Sequence, residues 1–311
     1  MILSASRRTD LPNYYAEWFF NRIREGFLYV RNPMNAHQIS RVDLSPAVVD
    51  CIVFWSKNPA PLLRRLDSLR DYMYYIQFTL EGYGRDIEPH LPDKKAVLIP
   101  AFQELSRQLG PRRMVWRYDP ILFNPRYTPD YHLRAFEEIA GQLEGFADRA
   151  VISFVDLYAK TRRGTAGLDI REPEKAELLD FAGQLAETAR RHGFTLESCA
   201  EAIDLAPAGV RHGSCIDKAL IEELLGCRLK VSRDKTQRPE CGCFESIDAG
   251  AYNTCRNGCK YCYANFSPQQ VERNAGLYDP ESPILCGTLG PEDVVTERRV
   301  SSLKETQISL F

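Results

Sequence analysis

Short apolar, β-branched or aromatic runs alternate along the chain with longer stretches of helical period. The runs predict strands over residues 2–5, 48–55, 74–80, 114–118, 150–155 and 194–197, with a seventh over 249–253. The helical stretches predict helices over 14–25, 61–70, 94–109, 131–143 and 173–192. The second places Leu62, Leu63, Leu66 and Leu69 on one face, and Gly193 stops the last. Strands that are apolar nearly throughout, rather than at every second position, belong in a parallel sheet covered on both faces. Alternation of such strands with helices predicts an α/β fold, a full or partial (β/α) barrel.

Polar residues cluster just beyond the strands. The runs are Ser6-Arg7-Arg8-Thr9-Asp10, Ser56-Lys57-Asn58, Glu81-Gly82-Tyr83, Arg117-Tyr118-Asp119-Pro120, Asp156-Leu157-Tyr158 and Cys199-Ala200-Glu201. In α/β folds ligands bind at the carboxyl ends of the strands. Arg7, Arg8, Asp10, Lys57, Arg117 and Asp119 are therefore candidates to bind a cofactor or an anionic substrate. The competing reading makes them salt bridges within the rim or helix caps, and Asp10, just before Pro12, suits an N-terminal cap.

Composition narrows the class. Of 311 residues, 44% are hydrophobic and 26% charged, the balance of an ordinary soluble globular chain. A net charge of −2 gives no global attraction to nucleic acid or membrane. No apolar run is long enough to cross a bilayer, so no membrane partner is expected. The opening MILSASRRTD lacks the layout of a secretory signal, so a cytoplasmic location is expected. Ten cysteines in such a chain point to metal or redox chemistry rather than a disulfide framework. Five of them fall between positions 241 and 262, which concentrates that chemistry near the C-terminus.

The sharpest local signal is Cys255-Arg-Asn-Gly-Cys259-Lys-Tyr-Cys262-Tyr-Ala. Three thiolates on a tight loop, which Gly258 permits, can converge on one centre. Three cysteines leave one iron of a [4Fe–4S] cube without a protein ligand and so open to a cofactor. The motif resembles the signature of the radical S-adenosylmethionine (SAM) superfamily, and its extension Cys-x-Tyr-Cys-Tyr-Ala is similar to the spore photoproduct lyase-like branch. That resemblance implies a [4Fe–4S] cluster on Cys255, Cys259 and Cys262. It also implies SAM at the open iron and Tyr261 near the adenine. SAM cleavage to a 5′-deoxyadenosyl radical would then be driven by a one-electron reductant such as flavodoxin or ferredoxin.

In that superfamily the triplet follows the first barrel strand, whereas here it follows the last. Phe54-Trp55-Ser56-Lys57 with its leucine helix, residues 76–80 with Glu88-Pro89, and residues 116–121 also resemble successive strand ends of that branch. A circular permutation is therefore expected, with the first strand and its cluster loop moved to the C-terminus. Over nearly its whole length the chain also resembles a bacterial family known as DUF1848. The likeness lies in Ser-Arg-Arg-Thr-Asp, Arg31-Asn-Pro-Met-Asn35 and the closing Cys-Gly-Cys…Tyr-Asn-Thr-Cys run.

The expected division is barrel units over 1–204, a cysteine-containing insertion or subdomain over 205–247, the last strand and cluster loop over 248–266, and a tail over 267–311. Cys199, Cys215, Cys241 and Cys243 are candidates for a second centre, either an auxiliary Fe–S cluster or zinc, with packing as the plainer alternative. Cys51, Cys227 and Cys286 read as packing residues. The closing Gln307-Ile-Ser-Leu-Phe311 is similar to the bacterial sliding-clamp-binding motif, with Gln307, Leu310 and Phe311 as the anchors. With the lyase-like resemblance it implies DNA, or a modified nucleotide, as substrate. The rival class is a zinc-stabilised nucleic-acid-binding or adaptor protein without radical chemistry. A metal-dependent hydrolase would want histidine and carboxylate ligands, and the five scattered histidines form no ligand spacing.

Overall fold

The computed structural model describes residues 1–157 and 159–305. In chain order the strands are β1 (Ile2–Ala5), β2 (Phe27–Asn32), β3 (Asn35–Asp43), β4 (Cys51–Ser56), β5 (Tyr74–Thr79), β6 (Met114–Ile121), β7 (Arg149–Phe154), β8 (Thr195–Ser198), β9 (Arg211–His212), β10 (Ile247–Asp248) and β11 (Val294–Glu297). The α-helices are α1 (Leu11–Tyr14), α2 (Ala16–Glu25), α3 (Ile99–Leu109), α4 (Pro129–Leu143), α5 (Ala159–Thr165), α6 (Lys175–Arg191), α7 (Lys218–Leu225) and α8 (Pro268–Gly276).

Eight strands form one parallel sheet in the order β10–β1–β4–β5–β6–β7–β8–β9. Alternate positions along each strand serve two apolar layers. Leu3, Ile52, Phe54, Ile76, Phe78 and Trp116 face the helices, where Phe54 meets Phe19 of α2, Phe78 meets Phe102 of α3 and Trp116 stacks on Phe136 of α4 at 4.6 Å. Ile2, Cys51, Val53, Tyr75, Val115 and Val151 face the other way, onto Ile216, Leu220, Ile221 and Leu229. Both faces are covered, which is why the strands read as continuous apolar runs. Each such aliphatic or aromatic side chain contributes about 1.5–3 kcal/mol when fully buried.

The sheet curls. The Cys215 carbonyl accepts from Tyr75 and Gln77 of β5, while its sulfur touches Arg117 of β6 and Cys199 beyond β8. In a flat sheet β5 and β8 would stand about 14 Å apart. The eight strands therefore make a partial barrel with α7 and the chain around it packed inside. Among the described residues β9 and β10 do not pair. The stretch leaving β9 instead meets the stretch entering β10, where Phe244 N–H donates to the Ile216 carbonyl at 3.2 Å.

Several elements depart from the sequence reading, each for a local reason. Helix 14–25 is broken at Tyr15, whose hydroxyl donates to the Thr254 carbonyl at the start of the cysteine loop; Asp10 caps the short α1 before it. Residues 60–69 form short 3₁₀ turns on either side of a kink at Arg65 (φ −141°), and Leu62 and Leu69 are the buried leucines. Helix 94–109 opens with a π turn at Lys94–Leu98. The seventh strand falls at Ile247–Asp248, and residues 249–253 are loop. There the Asp248 carboxylate turns the chain by accepting from Ser4, Ser6, the Arg7 N–H and the Gly250 N–H. A Cβ on Gly250 would stand 2.1 Å from Ser6 Oγ, so only glycine lets the strands approach this closely. The hairpin β2–β3, joined in a three-stranded sheet by β11, has no counterpart in the expectation. The first half of β3 is exposed and polar, so that strand carries little apolar signal.

Candidate functional site

The polar runs do lie at the carboxyl ends of the parallel strands, and those after β1, β4 and β5 gather around the cysteine loop. That loop leaves β10 and is closed by the Asn253 N–H donating to the Ala264 carbonyl at 2.9 Å. Within it Cys255 N–H donates to Asn265 Oδ1, Asn265 Nδ2 donates to Cys262 Sγ at 3.4 Å, and Cys262 N–H donates to the Cys259 carbonyl. Gly258 takes φ +71°, and a Cβ there would meet His90 at 2.8 Å. The glycine thus serves both the turn and its close approach to the rim beyond β5.

Asp10 anchors the loop. It is buried and accepts from Ser56 Oγ at 2.6 Å, Lys57 N–H at 2.9 Å, Asn257 Nδ2 at 3.0 Å and Asn13 N–H at 3.1 Å. Four donors leave its carboxylate committed to joining the ends of β1 and β4 to the cysteine loop. Asn257 completes the joint, accepting from Asn13 Nδ2 and the Tyr14 hydroxyl. Burial pushes the Cys255 and Cys259 thiols up, and Asp10 adds to this at Cys255. Lys57 acts the other way on Cys259 by favouring its thiolate.

Beside the loop is a buried ionic cluster. Lys57 Nζ reaches Glu81 at 2.5 Å and Glu88 at 2.7 Å, and Lys94 Nζ reaches Glu88 at 2.5 Å. The Tyr261 hydroxyl donates to Glu88 at 2.5 Å and its oxygen stands 3.2 Å from Glu81, and Lys57 lies 5.4 Å from the centre of its ring. Glu88, flanked by two lysines, is held below the usual carboxylate range despite its burial. Glu81 is raised by burial and by the charge of Glu88. Four buried polar side-chain atoms find no hydrogen-bond partner among the described residues: Thr9 Oγ1, Arg22 Nε, Asn58 Oδ1 and Glu81 Oε2. Three of these sit at the ends of β1, β4 and β5, the three strands that follow the cysteine strand β10 across the sheet, and all three can accept. Since buried polar groups are normally satisfied, this rim suits a ligand that brings N–H or O–H donors.

The other candidates lie further along the rim. Arg117 and Asp119 are spent largely on each other, and Asp119 also accepts from Ser153. Arg7 is partly buried between Trp55 (5.8 Å), Asp234 and Ser246, and Arg8 lies over Tyr252 at 5.2 Å. Glu201 at the end of β8 is pushed up to about 7, mainly by burial.

The second cysteine set makes contacts at sulfur. Cys199 and Cys215 stand 3.0 Å apart at sulfur, Cys215 is in hydrogen-bond contact with Cys243, and Cys243 with Cys241. Cys241 is drawn down to about 7, chiefly by its bond from Cys243. All ten cysteines are free thiols, and Cys51 is fully buried. Among the described residues no group of three or more His, Cys, Asp or Glu side chains is placed to hold a metal ion.

A family model described as a domain of unknown function, DUF1848, matches residues 2–264. The chain belongs to the DUF1848 family. The match takes in the whole parallel sheet and both cysteine sets. No match was found among curated proteins or solved structures.

Sequence reasoning missed Asn257, Asp248 and Lys94 as parts of this DUF1848 site. Asn257 could have been suspected as a spacer inside the cysteine motif. Lys94, which begins a helix pattern, gave no signal. Gln307, Leu310 and Phe311, like Tyr158, lie outside the described residues. No helix among the described residues is long and apolar enough to cross a membrane. An open groove of about 510 Å3 between α4 and α6 has no cysteine in its lining.

Proposed function

We propose that this chain is a radical SAM enzyme whose [4Fe–4S] cluster is held by Cys255, Cys259 and Cys262. The reading rests most on one juxtaposition. The three-cysteine loop leaves the strand next to β1, at the rim where Thr9, Asn58 and Glu81 present buried acceptors without partners. With SAM at its open iron, such a cluster supplies one-electron reductive cleavage to methionine and a 5′-deoxyadenosyl radical. The chain's own residues hold the cluster loop against the barrel through Asp10 and Asn257. Tyr261 is set by Glu88 as a flat wall beside the loop. Asn58 and Glu81 offer acceptors to an ammonium or ribose hydroxyl, and the covered inner face keeps water from the site.

The strand order supports a circular permutation. If β10 is counted first, and the hairpin is set aside, every strand of the parallel sheet lies beside its predecessor in the chain. The cysteine loop then follows the first strand. A DNA base or modified nucleotide is the substrate class we favour. Arg7 over Trp55 and Arg8 over Tyr252 pair cations with rings at the rim, as surfaces that bind phosphates and stack bases do. Docking to the bacterial sliding clamp through Gln307, Leu310 and Phe311 would deliver the enzyme to DNA.

The deciding experiment is anaerobic purification with iron and sulfide analysis, followed by dithionite and SAM. A brown protein with about four irons per chain that releases 5′-deoxyadenosine, and a Cys259→Ala variant that does not, are expected. A colourless protein after careful reconstitution, holding zinc alone, sinks this reading and favours the zinc-stabilised adaptor, which the contacts of the second cysteine set support.

A further inference from the structure

Cys199 follows β8, Cys215 follows β9, and Cys241 and Cys243 lie in the stretch entering β10. These segments are far apart in sequence, yet their sulfurs form an unbroken chain of contacts that starts at the 3.0 Å approach of Cys199 to Cys215. That separation is well beyond a disulfide bond of about 2.05 Å. It is closer than two uncharged sulfurs pack at ease. The surroundings supply donors to sulfur. Arg117 Nη1 lies 2.9 Å from Cys215 Sγ, although Asp119 already pairs that guanidinium, and the Ile216 N–H donates to Cys243 Sγ at 3.4 Å. Arg7 also stands close enough to Cys243 and Cys215 to feel both.

We propose that Cys199, Cys215, Cys241 and Cys243 form a mononuclear tetrahedral zinc site that fastens residues 213–246 over the inner face of the barrel. Around Zn²⁺ with bonds of about 2.3 Å, four thiolates stand about 3.8 Å from one another. The present placement does not itself hold a metal; the Cys199 and Cys215 sulfurs, 3.0 Å apart, would have to open by about 0.8 Å. A four-iron cube places each ligand sulfur on a separate iron and needs them set wider apart. On binding, four thiol protons leave to solvent. The zinc tetrathiolate carries two negative charges, which Arg7 and Arg117 face. The site joins the end of β8 to the two stretches that bridge the unpaired edges of β9 and β10, where strand hydrogen bonds do not hold the barrel. It depends on neither the cluster nor SAM, and so stands apart from the radical reading.

The test uses the full chain and a Cys255→Ala/Cys259→Ala/Cys262→Ala variant, both analysed for zinc, iron and sulfide. About one zinc per chain is expected in both, as is the visible absorption of tetrahedral cobalt thiolate when Co²⁺ replaces it. Cys241→Ser, at the half-buried edge of the set, should weaken zinc on the order of 100-fold or more in chelator competition, while Cys227→Ser leaves it unchanged. Should Cys241→Ser fail to fold, a mercurial reagent that strips zinc from the intact chain, followed by limited proteolysis, reads the same point. Cleavage within 213–246 should appear as zinc leaves. Absence of bound zinc or cobalt, iron with matching sulfide in the triple variant, or zinc loss without new cleavage would each overturn the proposal.

Discussion

Replacing Lys57 by methionine tests the ionic cluster beside the cysteine loop. Lys57 bridges Glu81 and Glu88 at 2.5 and 2.7 Å, and both carboxylates are almost wholly shielded from solvent. Without it the two share Lys94 alone, which contacts Glu88. Removing one partner of a buried ion pair costs about 3–5 kcal/mol, because a charge is left uncompensated. Glu81 can escape that cost by taking a proton, since its folded pKa already lies above the ordinary value and loss of Lys57 raises it further.

The sign follows from that shift. Between its unfolded pKa and its raised folded pKa, Glu81 holds a proton in the folded state that the unfolded state lacks. Stability then falls as pH rises, by about 1.4 kcal/mol per unit for one such group. Wild-type Glu81 already sits at about 8, so the two proteins fall together below that pH and part only above it. Urea unfolding followed by tryptophan fluorescence should therefore show K57M destabilised by about 3–5 kcal/mol at pH 10 and by about 2 kcal/mol less at pH 8. Adding Glu81→Gln, neutral at both pH values, should recover most of the loss at pH 10. Equal destabilisation at the two pH values, with no recovery in the double variant, would refute the reasoning.

Three further outcomes follow from other contacts. Gly164→Ala sets a Cβ 2.2 Å from the Lys260 carbonyl in the cysteine loop; the clash should cost about 1–3 kcal/mol in thermal unfolding and lower iron retention, and a variant unchanged in both would show that α5 does not brace the loop. His132, buried between the Tyr118 hydroxyl and the Leu122 carbonyl, is lowered to about 4, chiefly by burial. The folded state refuses a proton that the unfolded state takes, so stability is full above pH 6.5 and falls by on the order of 3 kcal/mol as pH drops to 4; His132→Phe should flatten that part of the denaturation profile, and an unchanged profile would exclude His132 as its source. Asn257→Ala strips a donor from buried Asp10 and an acceptor from Asn13 and Tyr14. It should cost about 1–3 kcal/mol and speed cluster loss in air, with equal loss rates counting against the joint.

Much of the barrel was legible because its signal is local. The runs at Ile2–Ala5, Tyr74–Thr79 and Arg149–Phe154 are apolar on both faces, and periodicity finds such segments directly. The short members of the sheet were not legible in this way. Two residues at Arg211–His212 and two at Ile247–Asp248 are strands only because neighbours pair with them, and the Asp248 carboxylate, not propensity, sets where β10 ends. The hairpin's exposed half hides it in the same manner. At the site, the cysteines were visible as residue types at given spacings. The Lys57–Glu81–Glu88–Lys94–Tyr261 cluster was not, since it assembles from three separate segments, those that follow β4, β5 and β10.

That contrast bears on how the two cysteine sets divide the rim. The triplet hangs from β10 and is braced by the ends of β1, β4 and β5, through Asp10, Lys57 and Glu88. The quartet is braced by β6 and β8, through Arg117 and Cys199. Arg7 lies between them, since it senses Cys215 and Cys243 on one side while its carbonyl accepts from the Tyr263 hydroxyl, one residue past Cys262, on the other. A group bound at Arg7 and Trp55 would therefore touch the strand ends of both halves. A zinc that fixes the quartet would position one wall of that space and leave the chemistry to the triplet. The division predicts separable losses: stripping the quartet should loosen substrate binding and expose 213–246 while SAM cleavage without substrate persists. Losing the triplet should end SAM cleavage while the zinc-held segment stays protected.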